Sequence, residues 1–473
     1  MMDFEKLYIN GQWVDSASGQ FIDVENPATM KVFARVPAGN AEDLDKAARA
    51  AHDAFPGWAA TPLSERIALM KKMLVRFKEL EPQIIDLEVK ELGSPVTFAK
   101  SAHCEYQYVR TQSYIDLAPQ VKWVEKFAAS TVYREPLGVI ACVTPWNYPL
   151  GQIIQKVIPA ILMGNTVIVK PSQHTPLTSY LLTDAFDKAG FPKGVFNLVI
   201  GRGAEIGDPM AAHPLIDMID FTGSTKGGVD VAKKGLDSVK RLCLELGGKS
   251  PDVFLKSDDY TEGLKICFNS IFLNAGQTCT ALSRLLIPRE DKEKIEAQMK
   301  EMVKAYAAGD PTDPKVLVGP VASKAQYRKI SEYIQKGIDE GATVLAGGMP
   351  APADHGYYIQ PTIFTDVKNT MSIARDEIFG PVLCVIPYDT VDEAVEIAND
   401  TRYGLNAAVW GPKEEAIAVG RRIQAGNVYI NDGPRDVTAP FGGYKESGIG
   451  REGGIYGLLE LTQLKALFDT GKV

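Results

Sequence analysis

Apolar positions near the N-terminus recur with the period of an α-helix. Asn40 favours a helix N-cap, and the helix behind it carries an apolar stripe at Leu44, Ala47, Ala48, Ala51, Phe55 and Trp58. A second stripe begins near Ser64, and further helix is expected over 82–92 and 98–117. Residues 7–36 form short stretches that predict strands joined by turns. We expect the stripes to face a core and assign them no chemistry.

Beyond residue 137, short apolar runs alternate with helical segments. The runs, each expected to be a strand, are 137–143, 166–170, 195–200, 216–221 and 239–244. The helical segments between them are 150–163, 177–189, 203–212 and 226–236. This alternation predicts an α/β fold, with a parallel sheet covered by helices on both faces. It continues after Pro251 and predicts a second α/β domain, with strands near 252–255, 283–287, 343–346, 382–387, 406–410 and 427–431.

The composition is that of an ordinary globular protein, with 45% hydrophobic and 23% charged residues among 473. The net charge of -8, without long charge runs, argues against nucleic acid or an anionic membrane as a partner. Residues 1–6 lack the pattern of a signal peptide, and no apolar run approaches the ~18 residues of a membrane span. Six irregularly spaced cysteines without a Cys-x-x-Cys pair indicate no disulfide framework, no metal site and a reducing cytoplasm.

One cysteine differs from the others in its surroundings. Five lie among apolar or helical neighbours, as small core residues do, namely Cys104, Cys142, Cys243, Cys267 and Cys384. Cys279 lies instead between two threonines in the polar, glycine-containing segment 274–280. A free cysteine is more often a core residue than a nucleophile. Cys279 is therefore a candidate nucleophile only if a base, an oxyanion donor and a dinucleotide site accompany it.

Residues that follow the predicted strands are candidates for chemistry, because open parallel sheets bind ligands at the carboxyl ends of their strands. The first strand of the sheet leads into the stiff, proline-flanked turn 144–149. There Asn147 could contact a ligand or only satisfy backbone groups of the turn. The next strand ends at Lys170, whose ammonium could meet ribose or phosphate oxygens or extend into solvent.

Two further strand ends carry suggestive residues. The glycine-rich segment 222–228 precedes a helix, so its backbone could approach a diphosphate, although its spacing fits neither Gly-x-Gly-x-x-Gly nor a Walker A loop. Glu245 lies between apolar residues and precedes a double glycine. A desolvated carboxylate there would have a raised pKa and could act as a general base. The alternative to this catalytic role is that the Glu245 carboxylate only forms an ion pair with Lys249.

Together these segments resemble the aldehyde dehydrogenase superfamily. The family's motifs are matched in order and spacing by Thr-Pro-Trp-Asn-Tyr-Pro at 144–149, Val-Lys-Pro-Ser at 169–172, Phe-Thr-Gly-Ser-Thr at 221–225, Glu-Leu-Gly-Gly-Lys at 245–249, Gly-Gln-Thr-Cys at 276–279, Glu-Ile-Phe-Gly-Pro at 377–381 and Pro-Phe-Gly-Gly at 440–443. The resemblance extends from Tyr8 to Lys465. It implies an NAD(P)-dependent enzyme that oxidises a small-molecule aldehyde.

The resemblance also implies an organisation of the chain. A Rossmann-like dinucleotide-binding domain would comprise residues 1–118 and 137–246, and an α/β catalytic domain residues 247–455. Segments 119–136 and 456–473 would form a small β arm that joins subunits. We therefore expect a homodimer or a homotetramer.

In this family the chemistry would be divided among a few residues. Cys279 would attack the aldehyde, Asn147 and the Cys279 N–H would hold the oxyanion, and Glu245 would activate water to hydrolyse the thioester. Lys156 and Glu452 match a pair that carries protons in the family. The implied cofactor site consists of Val143, Thr144, Pro145, Trp146, Lys170, Ser172, Gln173, Gly203, Gly223, Ser224, Gly228, Leu246, Glu377 and Phe379. Within that site Lys170 would bind the adenosine ribose, Ser224 a phosphate and Glu377 the nicotinamide ribose.

The sequence departs from the family pattern at Gln173, where many NAD-preferring members carry glutamate. A neutral side chain would not repel a 2′-phosphate, so NADP is expected to be accepted beside NAD. Thr278 replaces an arginine that is common in members acting on phosphorylated aldehydes, which argues against such a substrate. We expect Tyr148, side chains of 98–114 and the loop 432–438 to wall the tunnel to the nucleophile. Within that loop Arg435 could favour an anionic tail or be a plain surface arginine.

Three other functions stay open at this point. An acylating enzyme would pass the acyl group to coenzyme A, but such members commonly lack the glutamate base that Glu245 matches. A non-catalytic binding protein with this fold would not need Cys279, Glu245 and Asn147 together. A cysteine hydrolase would cleave esters without a nucleotide.

Overall fold

The computed structural model describes residues 4–469, so the ends of the predicted domain and arm segments, 1–3 and 470–473, lie outside the described residues. The N-terminal part is largely helical, as the apolar stripes predict. The Asn40 side chain accepts the N–H of Asp43 (3.2 Å), and the Asp43 carboxylate accepts the N–H of Asn40 (3.1 Å), which forms a capping box. The elements are β1 (Leu7–Ile9), β2 (Gln12–Val14), β3 (Phe21–Asn26), β4 (Lys31–Pro37), α1 (Ala41–Ala60), α2 (Leu63–Glu79), α3 (Glu81–Leu87), α4 (Val96–Phe98), α5 (Tyr106–Leu117) and β5 (Val124–Lys126).

The predicted helices 82–92 and 98–117 are present but not uniform. Each contains a π-helical stretch, at Glu88–Leu92 and Ala99–Glu105. Gly93 ends the first stretch in a left-handed conformation (φ 78°), which separates it from α4. Apolar periodicity therefore located these helices, while a local change of hydrogen-bond pattern divided them.

The middle of the chain alternates strand and helix as predicted. Its elements are β6 (Ser130–Pro136), β7 (Val139–Val143), α6 (Pro149–Leu162), β8 (Thr166–Lys170), α7 (Leu177–Ala189), β9 (Phe196–Leu198), α8 (Asp208–Ala212), β10 (Met218–Thr222), α9 (Thr225–Leu236) and β11 (Arg241–Glu245). The helix predicted over 203–212 is a π-helical turn, Gly203–Gly207, followed by α8. Strand β8 is buried throughout, as expected for a parallel strand covered on both faces.

The strand order of the first sheet creates a crevice at one edge. The order is β2-β1-β9-β8-β7-β10-β11-β21, with β21 formed by Gly448–Ile449, and the run from β9 to β11 is parallel. The chain proceeds from β7 to β8 and β9 on one side, then returns to place β10 on the other side of β7. Such a reversal is a topological switch point, where open α/β sheets bind ligands.

The ends of four strands meet at this edge. Val143 pairs with Lys170 on one side and with Phe221 on the other, and Thr222 pairs with Glu245. The segments that follow β7, β8, β10 and β11 therefore converge. These are the segments in which the sequence located its candidate residues.

A second α/β sheet follows, with order β14-β15-β16-β13-β12-β18-β19. Its pairs are parallel except β14 with β15. The elements are β12 (Pro251–Phe254), α10 (Thr261–Phe272), β13 (Arg284–Pro288), α11 (Lys292–Met302), α12 (Lys324–Asp339), β14 (Thr343–Ala346), β15 (Thr362–Thr365), α13 (Ser372–Arg375), β16 (Val382–Tyr388), α14 (Val391–Asn399), β17 (Tyr403–Gly404), β18 (Asn406–Trp410), α15 (Lys413–Gly420) and β19 (Asn427–Ile430). The sequence did not predict β15, a four-residue strand directly after Pro361 that is too short to show a period.

A small antiparallel sheet carries the predicted arm. Its order is β22-β6-β5, and β22 (Thr462–Phe468) pairs with β6 along its whole length. The last elements of the chain include β20 (Tyr444–Lys445) and α16 (Gly454–Glu460). Apolar side chains exposed on this sheet or beside it are Val124, Phe127, Tyr133, Leu464, Leu467 and Phe468.

Two large hydrophobic clusters correspond to the two α/β sheets. The first runs from Leu7 to Cys243 and also includes Leu458 and Leu461, and the second runs from Val253 to Ala425. The precise domain boundaries stay predictions. None of the helices in the described part of the chain has the length and apolar composition that a bilayer crossing requires.

Candidate active site

The loop before Cys279 has an unusual backbone. Asn274, Ala275 and Gly276 follow one another in left-handed conformations, with φ of 54°, 52° and 72°. A Cβ on Gly276 would lie 2.2 Å from the backbone of Gly380, so only glycine fits there. A non-glycine residue in this region costs about 1 kcal/mol or more, and the surrounding structure has to impose it.

Side-chain amides impose this conformation. Asn274 Nδ2 donates to the backbone oxygens of Asn147 (2.9 Å) and Gln277 (3.3 Å). Gln277 Nε2 donates to the Asn274 oxygen (3.0 Å), and Gln277 Oε1 accepts the N–H of Ala322 (2.8 Å). The Cys279 loop is thereby tied to the turn after β7 and to the second sheet's domain.

Cys279 is the one partly exposed cysteine among the described residues, and the five predicted core cysteines are buried. Burial raises the pKa of the Cys279 thiol to about 12, with further contributions from the carboxylates of Glu377 and Glu245, while Arg435 acts in the opposite direction. The resting thiol is protonated at neutral pH. A thiolate nucleophile at this position therefore needs a base or a change of local charge on ligand binding.

Asn147 lies at the turn between β7 and α6. Its Nδ2 donates one hydrogen bond to the backbone oxygen of Gln277 (2.9 Å), which fixes the orientation of the amide. An amide nitrogen has a second N–H, and Asn147 lines the same cavity as Cys279. The Cys279 N–H forms no hydrogen bond with another residue in the described range. The second N–H of Asn147 and the backbone N–H of Cys279 are therefore available to donate to a ligand oxygen beside the sulfur.

Glu245 ends β11 with both carboxylate oxygens buried and without a hydrogen-bond partner. Burial first, and the Glu452 carboxylate second, raise its pKa well above the ordinary value. The alternative pairing with Lys249 is not found, because the Lys249 ammonium is also buried without a partner. Gly442 makes room for the carboxylate, since a Cβ there would lie 2.7 Å from Glu245 Oε1.

The predicted pair Lys156 and Glu452 is brought together in the core. Lys156 Nζ lies 2.5 Å from Glu452 Oε1 and 2.6 Å from Asp220 Oδ1. Asp220, Glu452 and Cys243 form the one group of described residues with ligand atoms close enough for a metal ion. The Lys156 ammonium already provides the positive charge there. Asp220 was not predicted, because a single acidic residue inside a strand gives no sign of its partners.

A groove runs along the strand ends of the first sheet, and we call it the strand-end groove. Its outer part, about 410 Å³, is lined by residues around Lys170, and its inner part, about 330 Å³, reaches Cys279. Pro145 and Thr222 line both parts, at the switch point between β7 and β10. The N-terminus of α9 lies beside this junction, where its free N–H groups favour an anion.

The groove is shaped for close backbone approach. A Cβ on Gly223 would lie 2.6 Å from the Phe221 ring, and one on Gly247 would lie 2.5 Å from Glu377 Oε2. Ser224 caps α9 by accepting the Gly227 N–H (3.1 Å), which leaves its hydroxyl proton free to donate. A long, two-part ligand with a central diphosphate fits this arrangement, as a dinucleotide does.

Nearly all predicted cofactor residues line this groove. Its outer part includes Val143, Thr144, Pro145, Lys170, Ser172, Gln173 and Gly203. Its inner part includes Trp146, Gly223, Ser224, Leu246, Glu377 and Phe379. Gly228 is the exception, because it faces Leu246, where a Cβ would lie 2.4 Å from that side chain. This glycine allows α9 to pack closely against Leu246. Its predicted contact with the cofactor stays a prediction.

Two predicted groove residues owe their positions to the second sheet's domain. Glu377 Oε1 accepts the N–H of Gly248 (3.0 Å), and the Phe379 ring meets the Trp146 ring edge to face at 5.3 Å. Gln326 and Lys329 of α12 also line the inner part, and Asp208 and Asp230 line the outer part, although the sequence did not indicate them. They lie on helices with no glycine or strand-end signal, so only the tertiary structure reveals them.

A second cavity, of about 330 Å³, opens on the other side of Cys279, and we call it the helix-side cavity. Tyr148 and Arg435 are among its walls, and residues of α5 and α6 form half of the rest. The predicted tunnel walls are therefore correct for Tyr148, for part of 98–114 and for Arg435. The Tyr148 hydroxyl is within 2.9 Å of Thr278 Oγ1, which closes the cavity beside the sulfur.

Comparison with known proteins agrees with this arrangement. Residues 13–467 match the model of the aldehyde dehydrogenase family. A Staphylococcus aureus (strain USA300) relative that bears an aldehyde dehydrogenase name is 41% identical over 470 residues, 99% of each chain. The chain belongs to the aldehyde dehydrogenase family. It has that family's fold and is an oxidoreductase that acts on aldehydes.

Solved structures give the same result. Aldehyde dehydrogenase C of Pseudomonas syringae, a cysteine-to-alanine mutant in complex with NAD+ and octanal, is 41% identical and superposes with a TM-score of 0.97 over 99% of this chain and 98% of that chain. An aldehyde dehydrogenase of Mycobacterium tuberculosis in complex with NAD+ is 38% identical, with a TM-score of 0.96 over 99% of both chains.

Proposed function

We propose that this chain oxidises an aldehyde to the carboxylic acid with NAD+ or NADP+, through a thioester at Cys279. The position of Cys279 is the observation that carries the proposal, because this residue lines both the strand-end groove and the helix-side cavity. A nucleophile on a shared wall can meet an aldehyde from one side and a dinucleotide from the other. The P. syringae relative was crystallised with both kinds of ligand.

The first step is acylation of the sulfur. Cys279 gives its proton to solvent water, the sulfur forms a bond to the aldehyde carbon, and the carbonyl oxygen takes the π electron pair and becomes an oxyanion. The free N–H of Asn147 Nδ2 and the Cys279 N–H donate to this oxyanion. One such donor typically contributes about 3–4 kcal/mol to the transition state.

The residues of the strand-end groove would hold the dinucleotide. When bound, it would supply the acceptor for the hydride that leaves the former aldehyde carbon, so that a thioester would remain on Cys279. Lys170 would bind the adenosine ribose, the Ser224 hydroxyl and the start of α9 would bind the diphosphate, and Glu377 would bind the nicotinamide ribose. The ring of Phe379 would pack on the nicotinamide side.

The second step is hydrolysis of the thioester, with Glu245 as the general base. Its raised pKa suits proton transfer near neutral pH better than an ordinary carboxylate would. Glu245 lines neither part of the strand-end groove nor the helix-side cavity. Its carboxylate still raises the pKa of the Cys279 thiol, so the two side chains are near each other. Water adds to the acyl carbon while Glu245 takes one of its protons, and collapse of the adduct breaks the C–S bond and releases the acid and the Cys279 thiolate. Lys156 and Glu452 then pass the proton on.

We also propose that NADP+ is accepted beside NAD+. Gln173 is neutral and can donate, and Lys170 lines the same part of the groove. The 2′-phosphate of NADP would therefore meet an amide and an ammonium, although Asp208 and Asp230 also line that part of the groove. Asp208 is already paired with Lys234 at 2.5 Å, which reduces its repulsion.

We propose that the β22-β6-β5 sheet joins subunits in a dimer or tetramer. Leu464, Leu467 and Phe468 of β22 are 61%, 51% and 81% exposed, and an edge strand with exposed apolar residues is a surface that proteins usually cover. Sedimentation equilibrium should give a mass of two or four chains. A monomer at micromolar concentration would contradict this assignment.

The experiment that tests the proposed function is a panel of aldehydes, including octanal, assayed with NAD+ and with NADP+. Reduced cofactor and carboxylic acid should form in equal amounts, without coenzyme A. Turnover that requires coenzyme A would favour the acylating enzyme, and ester cleavage without aldehyde oxidation would favour the hydrolase. No reduction of either cofactor by any aldehyde would favour a binding protein.

A further inference from the structure

The helix-side cavity contains positive charge without a compensating carboxylate. Arg110 and Arg435 both line it, and no Asp or Glu of the described range is among its lining residues. It adjoins a second, outer cavity of about 280 Å³, which shares both arginines. Asp436 lines the outer cavity, but its Oδ1 already accepts the N–H and the hydroxyl of Thr438, at 2.8 and 2.7 Å.

Arg110 is built into the cavity wall. It is only 9% exposed, and its Nη1 donates to Gln107 Oε1 and to the Gly151 oxygen, both at 3.0 Å. Gly151 allows this arrangement, because a Cβ there would lie 3.1 Å from the Gln107 amide. Within the described residues, Arg110 has no ion pair, and its Nε and Nη2 donate to no protein group. An arginine this buried almost always has an anionic partner.

Arg435 is the second arginine that lines both cavities. Its guanidinium lies 5.6 Å from the ring centroid of Tyr106 and 5.0 Å from that of Phe441. These aromatic contacts hold the charge over the cavity, while no carboxylate of the described residues pairs with it. Burial, followed by repulsion from Arg435, lowers the pKa of Arg110, so the two charges act on each other. An anion between them would relieve that repulsion.

We propose that the substrate of this enzyme is an aldehyde with a carboxylate at its far end, held by Arg110 and Arg435 while Cys279 attacks the aldehyde carbon. The planar guanidinium fork matches a carboxylate and can form two charge-assisted hydrogen bonds with it. This inference rests on the proposed function. Oxidation of such a substrate consumes water and one oxidised dinucleotide and yields a dicarboxylate. The reaction that supplies this substrate must therefore generate an aldehyde group on a molecule that already has a carboxylate.

The test compares pairs of aldehydes with equal chain length, one ending in a carboxylate and one in its methyl ester. We expect kcat/KM to favour the carboxylate by about 10- to 100-fold at the optimal length, since charged hydrogen bonds contribute that much. High ionic strength should reduce the preference. Equal kcat/KM for acid and ester at every length would overturn the proposal, while the proposed function would stand. Failure of all aldehydes would instead reject the proposed function.

Substitutions of the two arginines test whether the preference for the carboxylate arises in the helix-side cavity. Arg435→Gln should lower the acid-to-ester ratio of kcat/KM at least fivefold, mainly through KM, and Arg110→Lys should lower it while keeping a charge in the wall. Arg35→Gln is the matched control, because Arg35 is also an exposed arginine over an aromatic ring, that of Phe21 at 4.4 Å, but lines neither cavity. The ratio should not change in this control. A ratio that persists in both Arg435→Gln and Arg110→Lys would overturn the assignment.

A readout without turnover separates binding from chemistry. Dicarboxylates resemble the product, so they should raise the thermal unfolding midpoint of the wild-type protein more than monocarboxylates of equal length. Arg435→Gln should abolish this difference while keeping the unfolding midpoint without ligand. If both acids stabilise wild type and variant alike, the arginines do not select the tail.

Discussion

The two spaces that meet at Cys279 are built in different ways. The strand-end groove is formed by backbone at the ends of parallel strands, with glycines that permit close approach. The helix-side cavity is formed by side chains of α5, of α6 and of the loop that carries Arg435. The topology of the sheet dictates the first space, while the choice of individual side chains dictates the second. Side-chain changes in the helix-side cavity can therefore alter substrate choice while the strand-end groove stays the same.

Because of this difference, substitutions in the two spaces should have different effects on activity. A change at a strand end should affect every aldehyde alike, because it alters the cofactor or the reacting atoms. A change in the helix-side cavity should alter the ranking of aldehydes. Cys279 belongs to both spaces, so its replacement should have the largest effect of all.

Cys279→Ser should reduce kcat/KM for every aldehyde by roughly 10⁴-fold, because a serine hydroxyl ionises far less readily than a thiol and is the weaker nucleophile. NAD+ binding, measured by calorimetry, should stay within a few-fold of wild type. Cys384→Ser is the control, because Cys384 is buried in β16, lines neither space, and its Sγ donates to the Ile373 oxygen (3.2 Å), a bond that serine can keep. Residual activity within tenfold of wild type would exclude Cys279 as the nucleophile.

Glu245→Gln should lower steady-state turnover by roughly 10²–10⁴-fold and keep a rapid first turnover, visible as a stoichiometric burst of reduced cofactor. Wild-type hydrolysis should accelerate as pH rises through the raised pKa of Glu245, because only the deprotonated carboxylate accepts a proton from water. Glu446→Gln, which removes an exposed carboxylate paired with Arg402 (3.6 Å), should leave both phases intact. Loss of the burst itself would assign Glu245 to acylation instead.

Asn147→Asp should lower kcat by about 10²–10³-fold for all aldehydes, because it replaces an oxyanion donor by an acceptor of the same shape. Thr175→Val disturbs the same turn, since Thr175 Oγ1 donates to the Trp146 oxygen (3.0 Å), but it keeps the donor. Stopped-flow measurement of the burst rate should separate the two variants. Equal effects in both would mean that Asn147 only shapes the turn.

Gln173→Glu should shift the NADP-to-NAD ratio of kcat/KM toward NAD by about tenfold, because a carboxylate would repel a 2′-phosphate. The ranking of aldehydes should not change. Gln20→Glu places the same charge on an exposed surface away from the groove and should leave the ratio as it is. A strong NAD preference in wild type that Gln173→Glu does not alter would contradict the expected acceptance of NADP.

Sequence patterns predicted the backbone-built part of the molecule well. The alternation of strands and helices, the Asn40 cap and the convergence of Lys170, Glu245 and Asn147 at one sheet edge all follow from local signals. The carboxyl ends of parallel strands meet at one edge by necessity, so the residues that follow those strands must be neighbours in space. The family resemblance then supplied roles for the individual side chains.

The side-chain-built part was predicted less completely, for a physical reason. The segment 98–114 and Arg435 were expected to wall the tunnel, but nothing local singles out Arg110 or shows that it lines the same cavity as Arg435. Asp220 and Lys329 were missed in the same way, because their partners are distant in sequence. Gly228 differs from the other predicted cofactor residues, since the structure shows only its close packing against Leu246 and leaves its predicted ligand contact untested.

The consecutive left-handed residues before Cys279 make the location of this residue independent of its own side chain. The amides of Asn274 and Gln277 hold that backbone, and none of their bonds involves the sulfur. A protein with alanine in place of Cys279 should therefore keep an undistorted scaffold around an inert centre. Such a variant would be suitable for crystallising the intact aldehyde together with the dinucleotide.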